Sequence, residues 1–146
     1  MIFTVALITG LVVGVADGDT LTVLRDDHQQ VKVRLADIDA PEKLQAFGNR
    51  SKQSLGALCH GKRAVVTAQA NDRYGRTVGR VSCAGVDASE AQVRLGMAWV
   101  YEQYVKDRSL YKLQDDARAQ GRGLWVDADP LAPWEWRRSR RKSAGE

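Results

Sequence analysis

The sequence predicts an α+β protein in which five short strands close into a small β-barrel and about three helices pack against it. Two observations support this prediction. Runs of alternating apolar residues are separated by polar turn clusters, and other segments carry apolar residues at helical spacing. Of the 146 residues, 44% are hydrophobic and 27% are charged. This composition is typical of one soluble domain with a single core.

The first half of the chain reads as three strands followed by a helix. Residues 9–15 form an apolar strand, and residues 20–25 and 31–35 alternate around the polar turn at 26–29. Pro41 then ends the third strand, because proline cannot donate to a strand ladder. Apolar residues at near-helical spacing predict a helix over residues 43–58.

The second half reads as two strands and two helices. Residues 63–68 and 77–83 have strand patterns on either side of a turn. Asp87 with Glu90 three positions later predicts the start of a short helix that ends at Gly96. A last helix runs from about Leu110 to Gly121. Five strands with a helix after the third are typical of an OB-fold, a five-stranded Greek-key barrel.

The two ends differ from the central domain, which is expected over residues 9–130. Residues 1–8 are strongly apolar but too short to span a bilayer, so they are either the remnant of an export signal or an extended first strand. Residues 131–146 form a basic tail. The last ten residues hold five basic side chains and one acidic one, which accounts for the whole net charge of +4. Such tails are often solvated and disordered, so a nucleic-acid role must rest on residues of the domain itself.

The two cysteines, Cys59 and Cys83, lie in no metal-binding motif, which argues against a zinc site. Unpaired, they fit a cytoplasmic protein. Bridged, they fit a secreted or periplasmic one. A bridge between them would close a loop of roughly 25 residues and stabilise the fold by about 3 kcal/mol in the chain-entropy model.

Acidic residues cluster at two predicted strand ends, which can lie side by side in a barrel. The acids are Asp17 and Asp19 after the first strand, and Asp37, Asp39 and Glu42 after the third. Converging carboxylates repel each other unless a cation neutralises them, and all-oxygen ligands favour Ca²⁺ or Mg²⁺. Each segment alone is also explained by ordinary turn chemistry.

Two arginines favour the catalytic interpretation of these acids. Arg34 lies in the third strand, and Arg76 follows a tight turn at residues 72–75. Beside acids they could form plain ion pairs. Near a metal-binding carboxylate cluster they could instead hold a phosphate and stabilise the charge that develops on it. A carboxylate that does not bind the metal could then activate water as a general base.

Three segments resemble, in order and spacing, the signature blocks of the staphylococcal nuclease family. They are VADGDT at residues 15–20, VRLADIDAPE at 33–42 and DRYGR at 72–76. Further similarity extends the resemblance from about residue 9 to residue 126. The ending PWEWRR at 133–138 and the two cysteines resemble secreted bacterial members.

The resemblance implies a metal site and a catalytic set. Asp19, Asp39 and the backbone carbonyl of Ala40 would bind Ca²⁺ directly, and Asp17 would lie just outside them. Glu42 would position and deprotonate the attacking water. Arg34 and Arg76 would hold the phosphate, with Arg76 also assisting the leaving oxygen. Substrate contacts would come from Arg73, Tyr74 and Tyr104.

The resemblance also implies an activity, namely calcium-dependent endonucleolytic cleavage of DNA and RNA that leaves 3′-phosphates. The expected substrate is single-stranded or frayed nucleic acid, and the expected protein is a secreted or periplasmic monomer without membrane association. Departures from the family pattern include Ala40 in place of threonine, Glu102 in place of a pocket tyrosine, and a shorter loop after Glu42. The alternative is an OB-fold module that binds nucleic acid without cleaving it.

Overall fold

The fold is a closed β-barrel with helices packed on it, as seen in a computed structural model that describes residues 5–145. Antiparallel pairing gives the strand order β3-β2-β1-β5-β6, and parallel pairing between β3 and β6 closes the barrel. The α+β class and the five-stranded barrel are therefore confirmed. The elements are β1 (Leu7–Asp17), β2 (Thr20–Arg25), β3 (Gln30–Leu35), β4 (Ile38–Asp39), α1 (Gly48–Cys59), β5 (Arg63–Asn71), β6 (Thr77–Cys83), β7 (Val86–Asp87), α2 (Ala88–Arg94), β8 (Trp99–Val100), α3 (Leu110–Ala119), a 3₁₀ turn (Gly123–Val126) and α4 (Pro133–Ala144).

The core lies inside the barrel and under the helices. Alternating strand residues such as Leu21 and Val23 on β2 are fully buried, as the period of two requires. The helices complete the same core with Leu55 from α1, Val93 from α2 and Leu110 from α3. This packing fixes the barrel end where the acidic turns lie.

Helix α1 begins five residues later than the sequence pattern suggests. Residues 42–47 form two successive turns, in which Gln45 donates to the Glu42 carbonyl and Gly48 donates to the Gln45 carbonyl, both at 2.9 Å. Phe47 has a φ of 68°, a left-handed conformation that separates these turns from the helix. The helical spacing of Leu44 was therefore misleading, and its side chain is exposed.

The third strand also ends earlier than predicted, at Leu35 rather than near Pro41. Asp37 has a φ of 73° and reverses the chain, and β4 then starts a separate two-stranded sheet with β8. In that sheet Asp39 pairs with Trp99 and Ile38 with Val100. This pairing brings Tyr101, which follows β8, to the acidic end of the barrel.

The basic tail contains a helix where the sequence suggested a solvated segment. Helix α4 begins with Pro133 at its first position, where the missing N–H costs nothing. Ala132 and Pro133 are buried, and Gln45 donates to the Leu131 carbonyl at 2.7 Å. Residues 5–145 therefore contain four α-helices instead of about three, and α4 starts packed against the domain.

A disulfide joins Cys59 at the end of α1 to Cys83 at the end of β6. At the other end of the chain, Leu7 and Ile8 pair with Thr67 and Val66 of β5. The prediction for residues 1–8 stays a prediction, and residues 1–4 lie outside the described part. Within residues 5–145, every helix is too short or too polar to cross a bilayer.

Candidate active site

The turn between β1 and β2 places two aspartates at one end of the barrel. The backbone N–H of Asp19 donates to Asp17 Oδ1 at 3.1 Å, and the N–H of Ala40 donates to Asp19 Oδ2 at 2.8 Å. The second bond ties this turn directly to the end of β4. A Cβ on Gly18 would collide with Ser51 and Ala40, so the close approach requires glycine.

A buried glutamine supports this turn from below. The side chain of Gln92 on α2 is fully buried and donates through Nε2 to the Gly18 carbonyl at 2.8 Å and to the Ser51 carbonyl at 3.0 Å. Its amide oxygen accepts from Ser54 Oγ at 2.7 Å. Residues of helices α1 and α2 thus hold in place the turn that carries Asp17 and Asp19.

The guanidinium group of Arg34 lies between the carboxylates of Asp39 and Asp19. Nη2 of Arg34 lies 3.3 Å from Asp19 Oδ2 and 3.2 Å from Asp39 Oδ1. Nη1 of Arg34 donates to the carbonyls of Leu35 and Ile38 at 2.7 and 2.9 Å. The structure therefore brings together Asp19, Asp39 and Arg34, as the sequence predicted, with the arginine held rigidly by backbone oxygens.

The acids of this cluster titrate differently because their surroundings differ. Burial raises the pKa of Asp17 to about 7, and the neighbouring Asp19 charge adds to the effect. Burial also raises the pKa of Asp39 to about 6, although a hydrogen bond from Arg137 opposes it. Burial acts on Asp19 as well, but the Arg34 charge outweighs it with the help of hydrogen bonds, and the pKa is lowered.

Glu42 connects to this cluster through an unexpected residue, Arg137 of α4. Nη1 of Arg137 lies 2.7 Å from Glu42 Oε1 and 3.1 Å from Asp39 Oδ1, while its Nη2 lies 2.7 Å from Asp39 Oδ2. The Glu42 side chain is 32% exposed, so water can reach it. The sequence placed Arg137 in a solvated tail, yet it is a central charge of the site.

Tyr101 is a second residue that the sequence did not single out for the site. Its hydroxyl accepts from Arg137 Nη2 at 3.2 Å, and its ring stacks on Trp134 at 5.5 Å and lies 6.0 Å from the Arg34 guanidinium carbon. Tyr101 reaches the site through the pairing of β4 with β8, two short segments that are far apart in the sequence. No local sequence pattern indicates this pairing. For Arg137 the sequence offers no signal that distinguishes it from its four basic neighbours.

Arg76 lies next to the cluster without contacting it. It lies in the turn just before β6 and precedes Thr77, which pairs with Val33 on β3, the strand that carries Arg34. Its Nε donates to Asp72 Oδ2 at 2.7 Å, and within the described residues this is the only hydrogen bond of its guanidinium. Its two terminal nitrogens are thus available to a phosphate.

The predicted substrate contacts are exposed. Tyr74 is 66% exposed and lies in the Arg76 turn, with the Arg73 guanidinium 5.0 Å from its ring centroid and Arg73 Nη2 2.8 Å from its hydroxyl. Tyr104 is 61% exposed and packs edge-on against Tyr101 at 4.9 Å. The first pair flanks Arg76, and Tyr104 flanks the cluster.

Asp37 does not belong to the cluster, contrary to its place among the converging acids in the sequence. Its Oδ2 faces Arg80 at 3.2 Å, and its Oδ1 accepts from the Lys106 N–H at 2.7 Å. The left-handed backbone of Asp37 turns it toward the loop before α3. Its function in the fold is therefore to hold that loop.

Comparison with known proteins finds a matching family and several similar relatives. Residues 32–127 match the family model described as staphylococcal nuclease homologue. An uncharacterized endonuclease of Escherichia coli O157:H7 is 50% identical over 131 residues, covering 89% of this chain and 85% of that protein. A micrococcal nuclease of Shigella flexneri is 43% identical over 141 residues, covering 89% and 80%. An uncharacterized endonuclease of Haemophilus influenzae is 45% identical over 127 residues, covering 87% and 71%.

The chain belongs to the staphylococcal nuclease family. Membership and the names of these relatives support nuclease activity, which makes the protein a hydrolase with a nucleic-acid substrate. The matched segment contains Arg34, Asp39, Glu42 and Arg76, and it ends before α4.

The site of this nuclease offers oxygen ligands suited to a hard divalent cation. Asp19 and Asp39 are buried carboxylates that face the same Arg34 nitrogen, and their hydrogen-bond and ion-pair partners in the described part of the chain include no histidine or sulfur. Among residues 5–145, no three acidic, histidine or cysteine side chains form a ready-made metal cluster. Guanidinium groups neutralise the acids in this arrangement, so a cation would have to share Asp39 with them or displace one.

Proposed function

We propose that this protein is a calcium-dependent endonuclease that hydrolyses phosphodiester bonds of DNA and RNA and leaves 3′-phosphate ends. The observation that carries the proposal is the convergence of Asp19 and Asp39 on one Arg34 nitrogen, at 3.3 and 3.2 Å. Buried carboxylates beside a rigid guanidinium provide both a place for a hard cation and a positive group for a phosphate.

Calcium would be held by Asp19, Asp39 and the Ala40 carbonyl, with Asp17 just behind them. When bound, the ion would polarise the phosphate and help to orient it. Asp17 supports this arrangement by accepting the Asp19 N–H, and Ala40 supports it by donating to Asp19 Oδ2. These contacts set the position of the Asp19 carboxylate before any ligand arrives.

Glu42 is the proposed general base. It takes a proton from water as the water oxygen bonds to phosphorus, and the bond from phosphorus to the 5′-oxygen breaks. A side chain that is 32% exposed can reach that water, provided that Arg137 releases it. Breaking the bond on the 5′-oxygen side leaves the phosphate on the 3′-end.

Arg34 on β3 and Arg76, in the turn just before β6, are proposed to bind the phosphate. Arg34 is fixed by the Leu35 and Ile38 carbonyls, and Arg76 is oriented by Asp72. Such preorganised positive groups stabilise charge that grows on the equatorial oxygens, and Arg76 also assists the departing 5′-oxygen.

Exposed side chains around the site are proposed to hold the nucleotides. Tyr74 and Tyr104 each present an aromatic surface on which a base can stack, and Arg73 adds a positive charge beside Tyr74. Bases must be unpaired to stack in this way, which favours single-stranded or frayed substrate. The protein is proposed to act as a monomer.

The disulfide between Cys59 and Cys83 favours secretion or a periplasmic location, because such bonds persist in oxidising compartments. Purification from the native host without reductant, followed by thiol counting under denaturing conditions, tests this part of the proposal. Bridged cysteines are expected, and two free thiols would contradict it.

Digestion of a 5′-labelled, denatured DNA strand in Ca²⁺, in Mg²⁺ and in EDTA tests the activity. Cleavage only with Ca²⁺ is expected, and removal of a 3′-phosphate by a phosphatase should slow the migration of each product. Cleavage in EDTA would overturn the calcium requirement. Tight binding without cleavage in any condition would show a binding module instead.

A further inference from the structure

The side chain of Arg137 occupies the gap between the proposed metal ligand and the proposed base. It contacts both oxygens of Asp39, at 3.1 and 2.7 Å, and one oxygen of Glu42 at 2.7 Å. The Asp39 side chain is 1% exposed, and Arg34 Nη2 also approaches its Oδ1, at 3.2 Å. Guanidinium groups therefore occupy every carboxylate oxygen of Asp39.

Aromatic packing next to the site holds α4 in this position. Trp134, one turn before Arg137, stacks on Tyr101 with an interplanar angle of 5° and meets Trp99 edge-on at 5.6 Å. The Leu131 carbonyl accepts from Gln45 in the loop that follows Glu42. The start of α4 is thus anchored on both sides of the site, whereas residues 138–145 are exposed.

A divalent cation on Asp39 would compete with this arrangement of Arg137. Arg137 and Arg34 together donate three hydrogen bonds to Asp39, whose two oxygens offer about four lone-pair positions, so little capacity is left for a cation. The cation and Arg137 would also place two positive charges within a few ångströms of each other at a site of low dielectric constant. Glu42 has the same conflict, because the carboxylate oxygen that accepts from Arg137 is held against that arginine and not against a water molecule.

We propose that Arg137 is an internal counter-cation that competes with the catalytic cation for Asp39, so that α4 acts as an autoinhibitory element. The competition sets how much calcium the protein needs, and release of Arg137 frees Glu42 at the same time. This inference rests on the proposed calcium site.

Calorimetric titration of Ca²⁺ into wild type, Arg137→Ala and Arg138→Ala tests the competition. Arg138 lies one position along the same helix and is exposed, so its removal makes the same change in net charge without touching the carboxylates. Arg137→Ala is expected to bind Ca²⁺ at least about tenfold more tightly than wild type, and Arg138→Ala about as tightly as wild type. Equal affinity of the two variants, or weaker binding by Arg137→Ala, would overturn the proposal.

Trp134→Ala provides a second variant if Arg137→Ala fails to fold. It removes the stacking on Tyr101 while leaving every charged group in place, so it should also tighten calcium binding. No change in affinity in this variant would count against α4 as the element that holds Arg137.

The same titrations separate this inference from the proposed function. Unchanged calcium affinity in Arg137→Ala, with calcium-dependent digestion intact, would leave the nuclease proposal standing and remove only the competition. Unchanged calcium affinity with weaker binding of denatured DNA would likewise overturn it and make Arg137 a substrate contact. Absence of calcium binding and of digestion in all variants would overturn both.

Discussion

At the scale of single residues, the two arginines proposed to bind phosphate differ in the partners that hold their guanidinium groups. Arg34 donates hydrogen bonds to two backbone carbonyls and to Asp39, so its side chain is fixed before a substrate binds. Arg76 has one carboxylate partner, Asp72, and contacts none of the clustered acids. The two arginines therefore differ in their readiness to bind a phosphate, with Arg76 the freer of the two.

Arg76→Ala tests the proposed phosphate contact. We expect activity on denatured DNA to fall by at least about a hundredfold, because an arginine that stabilises phosphoryl charge can contribute roughly 10³–10⁵ in rate. The fold should persist, since Asp72 Oδ1 still accepts from the backbone N–H groups of Tyr74 and residue 76.

Arg94→Ala is the matched control for this variant. Arg94 also forms an ion pair with an acid four residues away, Glu90, but on the exposed surface of α2. Its activity should equal that of wild type. If Arg76→Ala were as active as Arg94→Ala, the proposed role of Arg76 in phosphate binding would be wrong.

The sequence predicted the residues of the acidic site better than their partners. Asp19, Asp39 and Arg34 converge as expected because tight turns and a short strand fix them locally. The prediction that Asp37 joins these acids was wrong because its left-handed backbone turns the side chain toward Arg80. The residue types of the turn do not reveal this conformation. Tyr101 and Arg137 were missed because both depend on contacts between distant segments.

At the scale of elements, Arg80 joins parts of the fold that surround the site. Its guanidinium contacts Asp37 after β3, Asp87 at the start of α2, and Asp107 before α3, at 3.2, 3.0 and 2.8 Å. Burial opposes its charge, but the hydrogen bonds that Arg80 donates to Asp87 and Asp107 raise its pKa above the usual range. One side chain thus holds together the elements that position β4 and α2.

Arg80→Met should destabilise the protein strongly. It leaves the Asp37 carboxylate, which is 2% exposed, without its charged partner, and breaking a buried ion pair costs about 3–5 kcal/mol. Urea unfolding followed by tryptophan fluorescence measures the loss as a lower midpoint.

Arg63→Ala serves as its control, because Arg63 pairs with Asp26 in full exposure. Its midpoint should stay close to that of wild type. If Arg80→Met were as stable as Arg63→Ala, the contacts of Arg80 would be incidental to the fold.

Element boundaries were predictable where local chemistry sets them. Asp87 caps α2 by accepting from the Glu90 N–H at 2.9 Å, as the sequence pattern indicated. The predicted start of α1 and the predicted end of β3 were wrong. Phe47 and Asp37 have left-handed backbone conformations that interrupt otherwise regular sequence patterns. Helix α4 was missed because its charge suggested solvation, while Trp134 and Pro133 provide the packing.

At the scale of the whole molecule, a covalent bond reinforces the contact between α1 and the barrel. Cys59 and Cys83 are buried in the main core and are 24 positions apart in sequence. Closing this loop restricts the unfolded chain, which the chain-entropy model values at about 3 kcal/mol.

Reduction of the disulfide should therefore lower the free energy of unfolding by about 3 kcal/mol. Urea unfolding with and without dithiothreitol measures it, and alkylation followed by mass spectrometry confirms the redox state of each sample. Identical unfolding curves for verified oxidised and reduced protein would show that the bond adds nothing to stability.

The proposed reaction depends on a carboxylate that takes a proton from water beside a cation and two arginines. Glu42→Gln tests this most directly, because it keeps the shape of the side chain and removes the base. The measurement is kcat on denatured DNA in Ca²⁺, with Glu90→Gln, the same change on an exposed part of α2, as the control. We expect kcat to fall by about 10²–10⁴ in Glu42→Gln alone, at unchanged thermal stability. A kcat near that of wild type would contradict the account.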